Sequence, residues 1–162
     1  MGIPISWRPG MVIDGGILDE DHRHLIDIVN SFQRHDELGR LALSRAVESL
    51  HALKFYAQTH FEREEHLQCL VTFPEYREQE GGHRELVAAL DNLIWRAERP
   101  VTYRHAGTIV EEFAQLLRRW ILHHVIGHDL KMKPYAAAMR RYERDLAPLK
   151  SVRRFGGPTQ NV

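Results

Sequence analysis

The chain has little of what many small folds rely on. Cys69 is the single cysteine among 162 residues, which excludes an internal disulfide framework and fits a reducing compartment. Charge is not in excess, because 22 Lys and Arg balance 22 Asp and Glu. That balance argues against nucleic acid or an acidic membrane as a partner reached by bulk electrostatics. No apolar run approaches the roughly 20 residues of a membrane span. The opening residues MGIPISWRPG lack a basic start followed by an apolar core. No secretion signal is therefore expected, and the expected location is the cytoplasm. No stretch alternates at period two, so strands are not expected either, and no repeat or second domain is visible.

What the chain does hold is histidine, 11 in all, and helical periodicity. Residues 1–17, broken by glycine and proline, read as an arm. Asp19 is placed to cap a first helix, whose seam at three-four spacing is Leu18, His22, Leu25, Val29 and Phe32. Gly39 marks a turn. A second helix, roughly 41–69, carries Leu43, Ala46, Leu50, Leu53, Ala57, His60, Glu64 and Leu67 on one face. Thr72-Phe73-Pro74-Glu75 reads as the start of a third helix. Its seam is Tyr76, Gln79, His83, Leu86, Leu90, Leu93 and Ala97, and it ends near Arg99-Pro100. Gly81-Gly82 weakens it, at about 1 kcal/mol for each glycine against alanine. A fourth helix begins between Thr102 and Thr108, with the seam Ala106, Val110, Phe113, Leu117, Trp120 and His124. Gly127 and Pro134 disturb it, and 135–146 can be helical again. The pattern predicts an all-α, up-down-up-down four-helix bundle over residues 1–146, with a short C-terminal helical extension and a flexible tail, 147–162.

Every seam contains groups that water would normally claim: His22, His60 with Glu64, His83, and His124. His22 and His83 lie early in their helices, His60 and His124 late. Alternating helix directions bring all four to one end of the bundle. A polar group buried without a partner costs on the order of several kcal/mol, and a carboxylate more. One such histidine is ordinarily a hydrogen-bonded core residue. Four at one level, with a glutamate among them, point to a metal. Imidazole and carboxylate suit iron, zinc or manganese, and the lack of a nearby thiolate excludes a structural zinc site of the cysteine kind. His35, His51, His66 and His105 fall off the seams and are expected to be exposed, and His123 is ambiguous. Glu65 reads as a solvated neighbour or, at most, a residue behind the ligands.

Five stretches together resemble the hemerythrin family, and specifically bacteriohemerythrins. They are Trp7 in the arm; Leu18-Asp19-Glu20-Asp21-His22-Arg23-His24-Leu25; His60-Phe61-Glu62-Arg63-Glu64-Glu65; Pro74-Glu75-Tyr76 before His83; and Trp120 through His123-His124 to Gly127-His128-Asp129. The resemblance implies a non-haem di-iron centre, carboxylate- and oxo- or hydroxo-bridged, that binds O2 or a similar small diatomic ligand. By that likeness His22 and His60 hold one iron, with its open position for O2. His83 and His124 belong to the other, and Glu64 and Asp129 bridge the two.

Two positions need separate argument. The family pattern has a histidine four residues before His83, where this chain has Gln79. Gln79 either offers its amide oxygen as a weak ligand or leaves the place to water. Asp129 follows His124 by five residues, and a regular helix turns such a pair about 140° apart. Spacing favours His128 on the ligand face, and family likeness favours Asp129. A local π-type widening near Gly127 would turn Asp129 inward, so Asp129 is the choice here, with His128 in reserve. Leu25, Phe61, Phe113, Leu117 and Trp120 are core residues that would also line an apolar O2 pocket. The expected function is O2 carriage, storage or sensing. The alternatives are a di-iron enzyme reducing peroxide, NO or O2 at a second open site beside Gln79, and an iron-handling protein. No acid-base set beyond the ligands is evident, and the sequence identifies no protein partner.

Overall fold

The computed structural model describes residues 4–33, 40–99 and 103–143. Gly39, His35, Thr102 and the tail 147–162 lie outside them, as do the side chains of Phe32, Leu43, Ala46, His105, Ala106 and Val110. Four long helices are present: α1 (Ile17–Gln33), α2 (Arg40–Leu70), α3 (Tyr76–Ala97) and α4 (Tyr103–Gly127). A 3-10 segment (Asp129–Tyr135) and the short α5 (Ala136–Tyr142) follow. Among the described residues there is no strand, and no helix is long and apolar enough to cross a membrane.

Contacts between side chains set the helix directions. Along α2 and α3, His51 meets Glu98, Lys54 meets Asp91, Glu65 meets His83 and Gln68 meets Gln79. One chain rises as the other falls, so the pair is antiparallel. The α3–α4 pair behaves alike, with Arg96 on Glu112 and His83 on His124. α1 packs against α2 and α4, which closes the all-α bundle.

Two apolar clusters bracket the polar level. The larger holds Leu25, Val29, Leu50, Leu53, Ala57, Phe61, Leu86, Leu90, Phe113, Leu117, Ile121 and Val125, among others. Burying each leucine or isoleucine of this kind stabilises the fold by roughly 1.5–3 kcal/mol. The smaller holds Ile13, Ile17, Leu18, Leu67, Phe73, Met132 and Met139. On α1 the order is Leu18, His22, Leu25, and on α2 it is Phe61, Glu64, Leu67. Each polar residue therefore lies between one cluster and the other. The seam around Gly81-Gly82 is buried on both sides, which holds α3 unbroken through two poor helix formers.

The ends of the helices depart from the sequence reading. Asp14, rather than Asp19, caps α1: its carboxylate accepts the N–H groups of Gly16, Leu18 and Asp19 at 2.8, 3.3 and 3.3 Å. Asp19 reaches back and accepts the N–H groups of Ile13 and Gly15 at 2.9 and 2.6 Å, so it fastens the arm to the helix. A second tie is reciprocal, between the Ile5 backbone and the Asn30 amide at 2.8 and 2.7 Å. Thr72 does not start α3. It ends α2, with φ at 54°, while the Phe73 N–H reaches the Gln68 carbonyl and the Thr72 N–H reaches that of Cys69. This is a Schellman end, and its apolar seal is Phe73 with Leu67 in the smaller cluster. The stop matters because it leaves Glu64 and Gln68 on the last turns of α2, level with Gln79 and His83.

Candidate metal centre

His22, His60, Glu64, Gln79, His83, His124 and Asp129 are all buried, none more than 5 % exposed. One nitrogen or oxygen from each of His22, His60, Glu64 and Asp129 lies within 4.8 Å of the others, and the same holds for Glu64, His83 and His124. Glu64 is common to both groups, and its two oxygens divide between them. Oε2 lies 3.4 Å from His60 Nε2 and 4.0 Å from His22 Nε2, while Oε1 lies 3.6 Å from His83 Nε2. Asp129 divides in the same way, with Oδ2 3.1 Å from His22 Nε2 and Oδ1 3.2 Å from His124 Nε2.

Asp129 arrives there by a route the spacing argument does not contain. No π-type widening occurs near Gly127. α4 stops at Gly127, the His128 N–H still closes on the His124 carbonyl at 2.8 Å, and the backbone then tightens into the 3-10 segment that begins at Asp129. The departure from helical geometry at His128, with φ at −112° and ψ at −56°, breaks the α-helical register and carries Asp129 inward. His128 is only half-buried and belongs to neither group, its ring lying 6.2 Å from that of His124.

The cluster suits a cation by its own deficits. Both nitrogens of His22, Nε2 of His60, Oε2 of Glu64 and both oxygens of Asp129 are buried with no hydrogen-bond partner. Nε2 of His83 faces Nε2 of His124 at 2.9 Å, a contact closed either by one N–H or by a cation between the two rings. Burial, joined by the neighbouring Asp129 charge, holds the Glu64 carboxyl well above its usual range. Burial alone pushes Asp129 up to about 8. Burial pulls His22 down to about 4 and His83 to about 3, and it lowers His124 as well. In the folded chain these histidines are therefore neutral, the state in which imidazole binds metal.

A further layer of residues sets ring orientation, and the sequence reading missed most of it. His83 Nδ1 donates to Glu65 Oε1 at 2.7 Å, which leaves Nε2 as the free lone pair. Of the two readings given for Glu65, a solvated neighbour or a residue behind the site histidines, this contact matches the second. His60 Nδ1 faces Asp21 at 3.4 Å, and Asp21 is itself bound by Arg63 and, at 2.7 Å, by the Tyr56 hydroxyl. Burial works against the Asp21 charge, but His60, Arg63 and Tyr56 hold its carboxyl down at about 2. Gln68 donates to Glu64 Oε1 at 2.8 Å and also to Gln79 Oε1. Of these, Gln68 was legible, four residues beyond Glu64 on one seam. Asp21 was not, because its partners lie 35 to 42 residues away.

Of the proposed pocket residues, Phe61 stacks on His83 with ring centres 3.9 Å apart, and Trp120 stacks on His124 at 4.8 Å. Leu25, Phe113 and Leu117 lie in the larger apolar cluster with Phe61. His24, His51, His66 and His123 are exposed, as is Cys69.

Comparison with known proteins agrees with this geometry. The family model described as the hemerythrin HHE cation binding domain matches residues 16–136. The chain belongs to the hemerythrin family. It is 23 % identical over 127 residues to a bacteriohemerythrin of Stenotrophomonas maltophilia (strain R551-3), covering 77 % of this chain and 76 % of the relative. It is 22 % identical over 130 residues to a hemerythrin-like protein of Naegleria gruberi, covering 80 % and 92 %. The matched span runs from the residue before α1 to the first residue of α5, so this hemerythrin-family cation-binding domain takes in every residue of the buried cluster.

Proposed function

We propose that the chain is a non-haem di-iron protein that binds O2 reversibly, for carriage, storage or sensing. The observation that carries the reading is the division of Glu64 and Asp129, each with one oxygen toward one histidine group and one toward the other. Two bridging carboxylates between two sets of imidazoles suit a pair of ions rather than one. His22 and His60 would hold the first ion, His83 and His124 the second. Iron would supply the electrons that reversible O2 binding requires, and by family likeness O2 would bind on the His22/His60 side.

The chain's own residues do the rest. Phe61 covers the histidines on their apolar side, and the two clusters exclude bulk water, so stray protons are kept from the site. Asp21 and Glu65 hold His60 and His83 with Nε2 turned inward. The test is metal stoichiometry together with the optical spectrum of the reduced protein before and after air. The expected result is two irons per chain and a new visible band that bleaches on degassing. One ion per chain, or zinc, would overturn the di-iron reading. Two irons without a reversible band would overturn O2 binding.

A further inference from the structure

A cleft of about 680 Å³ runs between α3 and α4, and His124 belongs to its lining. Gln79, Gly82, Trp120 and His128 line it too. Three of its lining residues carry a buried nitrogen without a hydrogen-bond partner: Gln79 Nε2, Trp120 Nε1 and His128 Nδ1. An indole N–H and an amide NH2 can only donate, so two of the three are donors with nothing to bind.

The orientation of Gln79 follows from its neighbours. Gln68 presents one terminal atom to Glu64 Oε1 at 2.8 Å, to Met132 Sδ at 3.2 Å and to Gln79. A carboxylate that holds metal is ionised and only accepts, so in the loaded site that atom is the Gln68 NH2. The Gln79 group facing it is then the carbonyl oxygen. Gln79 thus spends its oxygen on Gln68, and its NH2 is what remains free. Of the two alternatives open from sequence, a ligating amide oxygen is the one this arrangement disfavours. The neighbouring half-site is left with His83, His124 and one oxygen each from Glu64 and Asp129.

We propose that this cleft admits a small monoanion to the His83/His124 half-site, where the Gln79 amide N–H donates a hydrogen bond to it. The inference rests on the di-iron reading above, and it concerns the opposite side of the cluster from the O2 position. Its chemistry is complementary: a cation with room in its coordination shell attracts an anion, and a free donor beside it completes the contact. His22, His60, Glu64 and Asp129 are all 0 % exposed, and none of the four lines this cleft.

Azide is the probe, added to the oxidised, iron-loaded full chain and followed by its optical band and by calorimetry. Gly82 lies three and four residues from Gln79, Glu78, Glu85 and Leu86, at the centre of the α3 wall. A Cβ added there meets no atom within 4 Å, and leucine is the better helix former. Gly82→Leu is expected to fill the cleft and slow azide association about tenfold, with iron content unchanged. Gln79→Leu removes the donor and is expected to weaken azide binding about tenfold, measured per iron bound. Gln79→His, which puts an imidazole where the anion would sit, is expected to abolish this binding. Azide affinity and rate unchanged in all three, with iron retained, would overturn the proposal while leaving the di-iron reading intact. Failure of the unsubstituted chain to take up iron would overturn both. A cleft-dependent azide band in a protein without a reversible O2 band would support the anion site and remove only the O2 reading.

Discussion

On one side of Glu64 stand His22 and His60, with no exposure at all; on the other stand His83 and His124, at 2 % and 5 %. Both sides draw on the same donors, two imidazoles and a share of two carboxylates. They differ in what stands behind the ligands. His60 is backed by Asp21, which Arg63 and Tyr56 anchor from α2. His83 is backed by Glu65 alone, whose side chain is 24 % exposed, and a surface cleft reaches its neighbour His124. The lesson is that equal ligand chemistry does not make equal half-sites. Enclosure and the outer hydrogen bonds decide how firmly a ring is held and what can approach it.

The comparison can be broken most completely at the residue both halves share. Glu64→Ala is expected to remove metal from both sides, read as near-complete loss of bound iron after desalting. Retention of half the iron would show that the halves do not depend on a common carboxylate. Removing the metal itself should have the next largest effect. A ligand at 100 times its Kd stabilises by about 2.7 kcal/mol, and a chain of this size shifts by ~2–4 °C per kcal/mol. Chelation should therefore lower Tm by ~5–10 °C in a thermal melt, and an unmoved Tm would argue that protein side chains alone satisfy the cluster.

The outer residues then separate the two sides. Asp21→Ala and Glu65→Ala should each weaken iron binding ~10–100-fold in competition with a chelator. Asp21→Ala should also lower Tm in the metal-free protein, because it strands the buried Arg63 charge. Glu65→Ala should leave that Tm nearly in place, and equal destabilisation by the two would erase the proposed asymmetry.

The smallest effect is on pH dependence. Above pH 6.5, the ordinary value for histidine, the unfolded histidines are neutral, and the folded ones, at about 4 for His22 and about 3 for His83, are neutral too. They contribute no slope there. Asp129 keeps its proton in the metal-free fold up to about 8 but loses it near 3.8 when unfolded. Between pH 6.5 and 8 the folded metal-free chain binds more protons, so its stability falls as pH rises. Metal displaces that proton, so the Tm gap between loaded and metal-free protein should widen across this window. A gap that narrows would place the titrating group elsewhere.

Much of this was legible in the chain. A three-four period that admits His22, His60, Glu64, His83 and His124 at core positions already brings them to one level, since residues on a common seam of antiparallel helices must meet. Asp129 was legible only by family likeness, and the route given for it was wrong, because nothing in Gly127-His128-Asp129 states where α4 will stop. The cap of α1 was misassigned for a like reason. Asp14 and Asp19 both precede the apolar run, and only the path of the arm decides which one faces the free N–H groups.

Periodicity by itself determined the helical class, the antiparallel order and the convergence of histidines, because burying an apolar stripe fixes the rotation of each helix and carries the polar members of the stripe inward. Tertiary structure alone decided which end of the Gln68 and Gln79 amides faces where, which carboxylate steadies which ring, and which half of the cluster meets a cleft. Those outcomes depend on distances between residues remote in the chain, and no local pattern encodes them.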